Sequence, residues 1–315
     1  MTEDTKELFG PAAEDLVSVD AQLRKEIASD PPEVAGPMAD LFDAGGKRIR
    51  PGLVLLAARC GSYDAERAFP AAMAVEITHA ATLVHDDVID RAPTRRGRPT
   101  VAAQLGDEPA IVIGDFYFAK AYEYAARTRS PEVVVILAEA VMKICSGEVR
   151  QQAIRYRYST GVDEYMQRIE AKTATLLAAC CDIGALLGGL PDSDRAALRA
   201  YGRSLGLAFQ IADDVLDYVG SEGEVGKPIG HDVVEGFATL PLMLASVPIE
   251  DDRRLSEADA TRIVEAVRKS DGPRLALEQA KNHARDARQQ LDNMKRREAA
   301  DSLVSLTDYV VSRKL

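Results

Sequence analysis

Apolar residues recur at three- and four-residue spacings along nearly the whole chain, the period of amphipathic helices. No hairpin-type alternating run stands out, so the pattern predicts an all-α protein. Several helix boundaries follow from local chemistry. Ser130-Pro131 supplies an N-cap and a proline at the first helical position, ahead of a long helix through Gln152. The turn Ser159–Asp163 opens a second helix, running to about Gly188, and Pro191-Asp192-Ser193 starts a third that ends at Gly220. Ser256 with Asp259 resembles a capping box for a helix toward Lys269. The longest apolar stretch, Thr175–Leu190, is interrupted by Asp182 and followed by Pro191, so it reads as a core helix and not a membrane span.

Composition narrows the class. The 315 residues are 46% hydrophobic and 28% charged, enough to bury a sizeable core and too apolar for a disordered chain. Aromatic content is low, with 7 Phe, 10 Tyr and no Trp. Against 50 acidic residues stand 39 basic ones, a net charge of −11, which argues against nucleic acid as a partner. The acidic N-terminus has no apolar segment of the signal-peptide kind, and four cysteines (Cys60, Cys145, Cys180, Cys181) without a C-x-x-C pair make neither a disulfide framework nor a zinc site. A reduced cytoplasmic compartment is the expectation.

One acidic pattern occurs twice: Asp86-Asp87-Val88-Ile89-Asp90 and Asp213-Asp214-Val215-Leu216-Asp217. On a helix, Asp86 and Asp90 share a face, as do Asp213 and Asp217. Like charges at this spacing repel by roughly 0.2–0.5 kcal/mol per pair even when exposed, so such a helix end calls for a cation. All-oxygen ligands suit magnesium before zinc, and magnesium completes its shell with water and substrate phosphates. A phosphate or diphosphate ligand is therefore expected.

The basic residues fit such an anion. Lys47 and Arg50, in Gly45-Gly46-Lys47-Arg48-Ile49-Arg50-Pro51, lie three apart on one face of a helical turn. The segment Arg91–Thr100 holds four arginines in ten residues, Arg95 and Arg96 among them. Arginine suits bidentate phosphate contact. Lys172-Thr173 opens an apolar helical stretch, and Lys227 lies in Gly220–Gly236, a loop with five glycines. His79 sits two turns before Asp86 on the same face, a candidate donor, whereas His85 reads as a packing residue.

These motifs resemble the trans-isoprenyl diphosphate synthases, the polyprenyl synthetase family. The resemblance runs from about Gly45 to Pro241 through GGKRIRP (Gly45–Pro51), HAATLVHDDVIDRAPTRRG (His79–Gly97), Gly114-Asp115, Gly147-Glu148, KTATL (Lys172–Leu176), FQIADDVLD (Phe209–Asp217) and GKPIGHDVVEG (Gly226–Gly236). It implies a single polyprenyl synthetase domain over residues 1–315, an all-α bundle around a central cavity, a homodimer, and condensation of isopentenyl diphosphate with an allylic diphosphate. It further implies magnesium (manganese as substitute) contacted by Asp86, Asp90 and Asp213, with Asp87, Asp214 and Asp217 in close support. Arg95, Lys172, Thr173, Gln210 and Lys227 would hold the allylic diphosphate; Lys47, Arg50, His79 and Arg96 would hold isopentenyl diphosphate. Gln210 fits independently, three residues before Asp213 and on its face.

One position departs from the family. Its late loop often reads E-G-K-x-T-L-P, and here it reads Glu235-Gly236-Phe237-Ala238-Thr239-Leu240-Pro241, so Phe237 replaces a cation. Product length is read from the helix before the first cluster. Ala74, Thr78 and Ala81 form a stripe of small side chains. Short-chain members of the family often carry an aromatic residue four or five positions before the first aspartate, where this chain has Thr82 and Ala81. The expectation is an all-trans product longer than C20, the alternatives being a short-chain (farnesyl or geranylgeranyl) diphosphate synthase or a non-catalytic subunit of a heteromeric prenyl synthase.

Overall fold

The computed structural model describes residues 7–220, 230–292, 294 and 298–312, with the side chain of His231 excepted. Its elements are almost all helices. A 3-10 turn (Gly10–Ala12) leads into α1 (Ala13–Ala28), α2 (Pro32–Asp43), α3 (Ile49–Arg59) and α4 (Ala65–Ile89). A short hairpin, β1 (Thr94–Arg95) and β2 (Arg98–Pro99), precedes α5 (Val101–Leu105), α6 (Asp107–Arg127) and α7 (Pro131–Ala153). Then come α8 (Val162–Ile169), a π-helical turn (Glu170–Ala174), α9 (Thr175–Leu187) and α10 (Asp192–Val219). The last are α11 (His231–Glu235), α12 (Leu240–Ala245), α13 (Glu257–Arg268), α14 (Gly272–Gln290) and α15 (Glu298–Ser312). None of the four cysteines is in a disulfide. No helix among the described residues is long and apolar enough to cross a membrane.

The chain divides into two compact units: Met1–Val141, Ala179–Arg199 and Asn293–Leu303 in the first; Met142–Ala178, Ala200–Asp292 and Val304–Leu315 in the second. The first is built on α4. Asp64 caps it, its carboxylate accepting from Glu66 N at 2.9 Å. Alanines and branched residues then leave most of α4 apolar around its circumference, as befits a helix surrounded by others. A Cβ on Gly184 of α9 would stand 2.3 Å from Val54 O of α3, so only glycine allows the close approach of these two helices.

The second unit has two apolar centres. One joins Tyr165 and Ile169 of α8 to Leu207, Ile211 and Val215 of α10, with Leu240, Ala276 and Ala280. The other gathers Tyr158, Tyr218, Val233, Leu242 and Val264. Ser256 caps α13, accepting from Asp259 N at 3.1 Å.

Two local features differ from the reading of the sequence, in which Arg91–Thr100 is a loop and Lys172-Thr173 part of a regular helix. The arginine-rich segment folds as a hairpin with Thr94 opposite Pro99 and Arg95 opposite Arg98. Its two-residue turn, Arg96-Gly97, takes φ of 51° and 76°, the geometry that matches the twist of paired strands. Lys172 and Thr173 lie within a π-helical turn, a local widening of the kind often found at functional sites.

Candidate active site

The first aspartate cluster ends α4, in the first unit. Asp86 and Asp90 are partly exposed, whereas Asp87 is 2% exposed. Burial pushes the Asp87 carboxyl up from its ordinary value, and Arg95 offsets part of that. Arg95 Nη2 lies 2.8 Å from Asp87 Oδ1 and Nε donates at 2.9 Å, so the hairpin delivers a guanidinium to the buried member of the cluster. His85 behaves as a packing residue: its Nε2 is 2.9 Å from Ile111 O, and it lies over Gly114, where a Cβ would clash at 2.1 Å.

A second basic group surrounds His79. The turn before α3 holds Arg48 at φ 51°, inside the left-handed region. Three partners fix it there: Nε with Asp20 Oδ1 at 2.7 Å, Nη1 with the buried Glu76 at 2.8 Å, and Nη2 with Phe42 O at 3.2 Å. That bracing sets the start of α3, on which Arg50 sits. Arg96 reaches back over the same turn, its Nη1 3.2 Å from where a Cβ on Gly46 would be. His79 keeps part of its surface accessible but is densely surrounded. Burial, then the charges of Arg50, Arg96, Arg95 and Arg48, hold its pKa well below the ordinary 6.5, so it is a neutral imidazole at pH 7. Of the four residues expected to take isopentenyl diphosphate, Arg50, His79 and Arg96 are thus drawn together, while Lys47 is exposed in the neighbouring turn. Such convergence of like charge favours an anion. Neither Glu76 nor Asp20 had any signal in the sequence, since each acts through a partner 28 residues away.

The second cluster lies on α10, in the second unit. Asp213 is partly exposed; Asp214 and Asp217 are each 4% exposed. A chain of hydrogen bonds runs through Asp214. Thr173 Oγ1 donates to Gln210 Oε1 at 2.6 Å, Gln210 Nε2 donates to Asp214 Oδ1 at 2.8 Å, and Tyr165 OH donates to Asp214 Oδ2 at 2.7 Å. Burial and then the neighbouring charge of Asp232 push the Asp214 carboxyl up to about 7, against these donors and Arg168. Asp217 accepts from Asp232 N at 3.3 Å. Lys172 Nζ lies 3.1 Å from Glu148 Oε2, and Glu148 also accepts from Gln152 at 2.8 Å and Gln151 at 3.2 Å. Lys172, Thr173, Gln210 and Asp214 are therefore joined by the π-turn and α10, with Tyr165 and Glu148 as members that sequence reading missed. Lys227 lies outside the described residues.

The donor chemistry fits a hard divalent ion. Among the described residues no three His, Cys, Asp or Glu side chains gather into a cage for one metal. Asp86 and Asp90, one turn apart and both accessible, match an ion such as magnesium that takes one or two carboxylates and fills its shell with water and phosphate. The stripe Ala74, Thr78 and Ala81 is closed over by packing, at 1%, 1% and 0% exposure. By helical geometry Ala81 lies about 140° around α4 from Asp86. Upstream of the cluster on α4, His79, Thr82, Leu83 and His85 stay partly accessible.

Residues 31–270 match the family model for polyprenyl synthetase. The chain is 36% identical to component 2 of the heptaprenyl diphosphate synthase of Geobacillus stearothermophilus, over 98% of both proteins. Among solved structures it resembles a polyprenyl synthase from Caulobacter crescentus CB15, complexed with calcium and isoprenyl diphosphate, at a TM-score of 0.93 and 36% identity, covering 99% of this chain and 98% of that one. A decaprenyl diphosphate synthase from Rhodobacter capsulatus follows at 0.89 and 34%, with 98% of each covered. The chain belongs to the polyprenyl synthetase family and is a trans-prenyltransferase of the polyprenyl diphosphate synthase kind.

Proposed function

We propose that this prenyltransferase, acting as a single domain over residues 1–315, condenses isopentenyl diphosphate with an allylic diphosphate, in a magnesium-dependent reaction, to an all-trans polyprenyl diphosphate longer than C20. The observation that carries the reading is the set of guanidiniums around His79, on the helix that ends in Asp86 and Asp90. It supports an anion subsite on the element that carries the accessible carboxylates.

The residue roles follow from chemistry. Magnesium, or manganese in its place, supplies neutralisation of the departing diphosphate so that the allylic C–O bond can ionise. Asp86, Asp90 and Asp213 would contact it. Asp87, held by Arg95, and Asp214, held by Tyr165 and Gln210, keep the accessible carboxylates in register, with Asp217 beside them. Lys172 and Thr173, with Arg95, Gln210 and Lys227, bind the allylic diphosphate. Arg50, Arg96, Lys47 and neutral His79 bind isopentenyl diphosphate, the imidazole as a hydrogen-bond donor to phosphate oxygen. The chain's own contribution is charge placement, orientation and exclusion of water.

Product length draws on Thr82 and Ala81, which put no aromatic ring before Asp86, and on the names of the heptaprenyl and decaprenyl relatives. The buried stripe Ala74, Thr78 and Ala81 is where a larger side chain would change that length. A homodimer is supported by exposed apolar residues: Ile111 (45%) and Val112 (65%) on α6, and Val135, Met142 and Val149 at seven-residue intervals on α7. Light scattering on the purified chain tests it. Incubating that chain alone with labelled isopentenyl diphosphate, several allylic primers and magnesium, then separating the dephosphorylated products, tests the rest. Chains longer than C20 are expected. A C20 limit refutes the length. The component naming of the Geobacillus relative favours a second reading, a subunit of a heteromeric synthase, for which activity would appear only after a partner chain is added.

A further inference from the structure

Two guanidiniums flank the ring of Phe237, the residue that departs from the family loop. Arg155 Cζ and Arg168 Cζ each lie 5.6 Å from the ring centroid. Their other contacts separate their roles. Arg155 pairs with Glu235 and donates from Nε to Glu235 O at 2.7 Å, so its charge is matched where it stands. Arg168 donates from Nη2 to Ala238 O at 2.6 Å and makes no ion pair with a carboxylate among the described residues. Its Cζ is also 5.5 Å from the ring centroid of Tyr165, whose hydroxyl donates to Asp214 at 2.7 Å. Arg168 is thus fixed between two aromatic rings and a carbonyl, within one side chain of the second aspartate cluster.

This arrangement has a physical sense. A flat guanidinium stacks on aromatic faces and keeps its charge there, which an ammonium on a flexible stem does less well. A lysine at position 237 would set a third cation against Arg155 and Arg168. Phenylalanine there instead gives Arg168 a surface to rest on.

We propose that Arg168, seated on Phe237 and Tyr165, is a diphosphate-binding residue of this enzyme and supplies beside the second aspartate cluster the cation that position 237 lacks. The inference rests on the prenyl-transfer reading for its ligand, but its test does not need turnover. Binding of inorganic pyrophosphate in excess magnesium, followed by calorimetry on the full chain, isolates the anion subsite from condensation. Arg168→Gln is expected to weaken pyrophosphate binding by about tenfold or more, the scale of one charge-assisted contact. Arg168→Lys keeps the charge without the fork and should fall between. The deciding variant is Arg168→Gln combined with Phe237→Lys, which restores a cation to the same neighbourhood and should recover most of the lost affinity. A purely structural role for Arg168 would not be rescued by a lysine on another element. Thermal midpoints accompany each variant, and where Arg168→Gln fails to fold, Arg168→Lys with and without Phe237→Lys carries the comparison. Wild-type affinity in Arg168→Gln, or no rescue in the double variant at a wild-type midpoint, overturns the proposal. Failure of wild-type condensation with intact pyrophosphate binding would count against the prenyl-transfer reading alone.

Discussion

Replacing Glu76 by glutamine removes one buried charge and keeps one hydrogen-bond acceptor, which separates what that charge does from what its shape does. Glu76 and Arg48 have side chains only 7% and 10% exposed, and Nη1 lies 2.8 Å from Oε1. A charge-assisted hydrogen bond is worth about 1.5–3 kcal/mol and a neutral one about 0.5–1.5, so the substitution should cost about 1–2 kcal/mol. The larger penalty of a stranded buried charge, about 3–5 kcal/mol, is not reached, because Arg48 still faces Asp20 at 2.7 Å. For a chain of this size that is a fall in thermal midpoint of about 1.5–3 °C.

The effect on substrate has the opposite sign. With the turn kept in place and an anion removed, the potential near Arg50, Arg96 and His79 becomes more positive. Glu76→Gln should therefore leave the KM for isopentenyl diphosphate unchanged or lower it. Glu76→Ala also removes the acceptor, so the turn loses its brace and Arg48 its reason to stay at φ 51°. Here KM for isopentenyl diphosphate should rise by about tenfold, the equivalent of 1.4 kcal/mol, with a smaller change for the allylic substrate. Scanning fluorimetry and steady-state kinetics with each substrate varied in turn measure both. Wild-type midpoints in both variants, or equal shifts in the two KM values, would refute the view that Glu76 organises this subsite.

Other expectations follow from the same geometry. Asp86→Ala or Asp213→Ala should lower turnover by at least about a hundredfold, as when an electrostatic group acting on the transition state is removed; near-normal turnover in either would sink the assignment. His79 titrates below its unfolded value, so its contribution to stability is complete above about pH 6.5 and is lost as pH falls from there toward its folded value. The midpoint of the wild type relative to His79→Gln should accordingly drop on acidification below that point, and a difference independent of pH would contradict it. Gly184→Ala puts a Cβ against Val54 O and should destabilise by about 1–3 kcal/mol, seen as a lower midpoint with little change in product pattern. Ala81→Phe inserts a ring into a fully buried position and should shorten the main product while condensation continues; an unaltered length distribution by chromatography would show that the tail does not pass this stripe.

Much of this was legible in the sequence because it is local. The helix starts near Pro131, Asp192 and Glu257 follow from residues within one turn of each boundary. Asp86 with Asp90 and Asp213 with Asp217 needed only the helical period. The hairpin at Arg95–Arg98 was not legible, since two residues per strand give no period to detect. The role of Arg48 was hidden for another reason: GGKRIRP presents three cations, and nothing in the motif says that the middle one turns inward to Asp20 and Glu76. Tyr165 likewise looked like one more apolar position of α8, because its partner Asp214 is 49 residues on. Phe237 was visible as a departure, but its seat against Arg155 and Arg168 was not.

The two copies of the aspartate pattern are not equivalent, and the difference lies in what meets the middle carboxylate. Asp87 is answered by a cation, Arg95, so much of its charge is compensated locally and Asp86 and Asp90 are left as the accessible anions. Asp214 is answered chiefly by neutral donors, Tyr165 and Gln210, with burial and then Asp232 raising its pKa to about 7. A carboxyl poised there is ionised only in part at neutral pH, and a divalent cation nearby would complete its ionisation by favouring the charged form. The second cluster thus gains part of its charge when an ion arrives. In the second cluster Asp217 is also buried, which leaves Asp213 as its accessible carboxylate. One five-residue pattern therefore encodes two different sites, because the sequence fixes which face the aspartates share and the neighbouring elements fix which of them stay open.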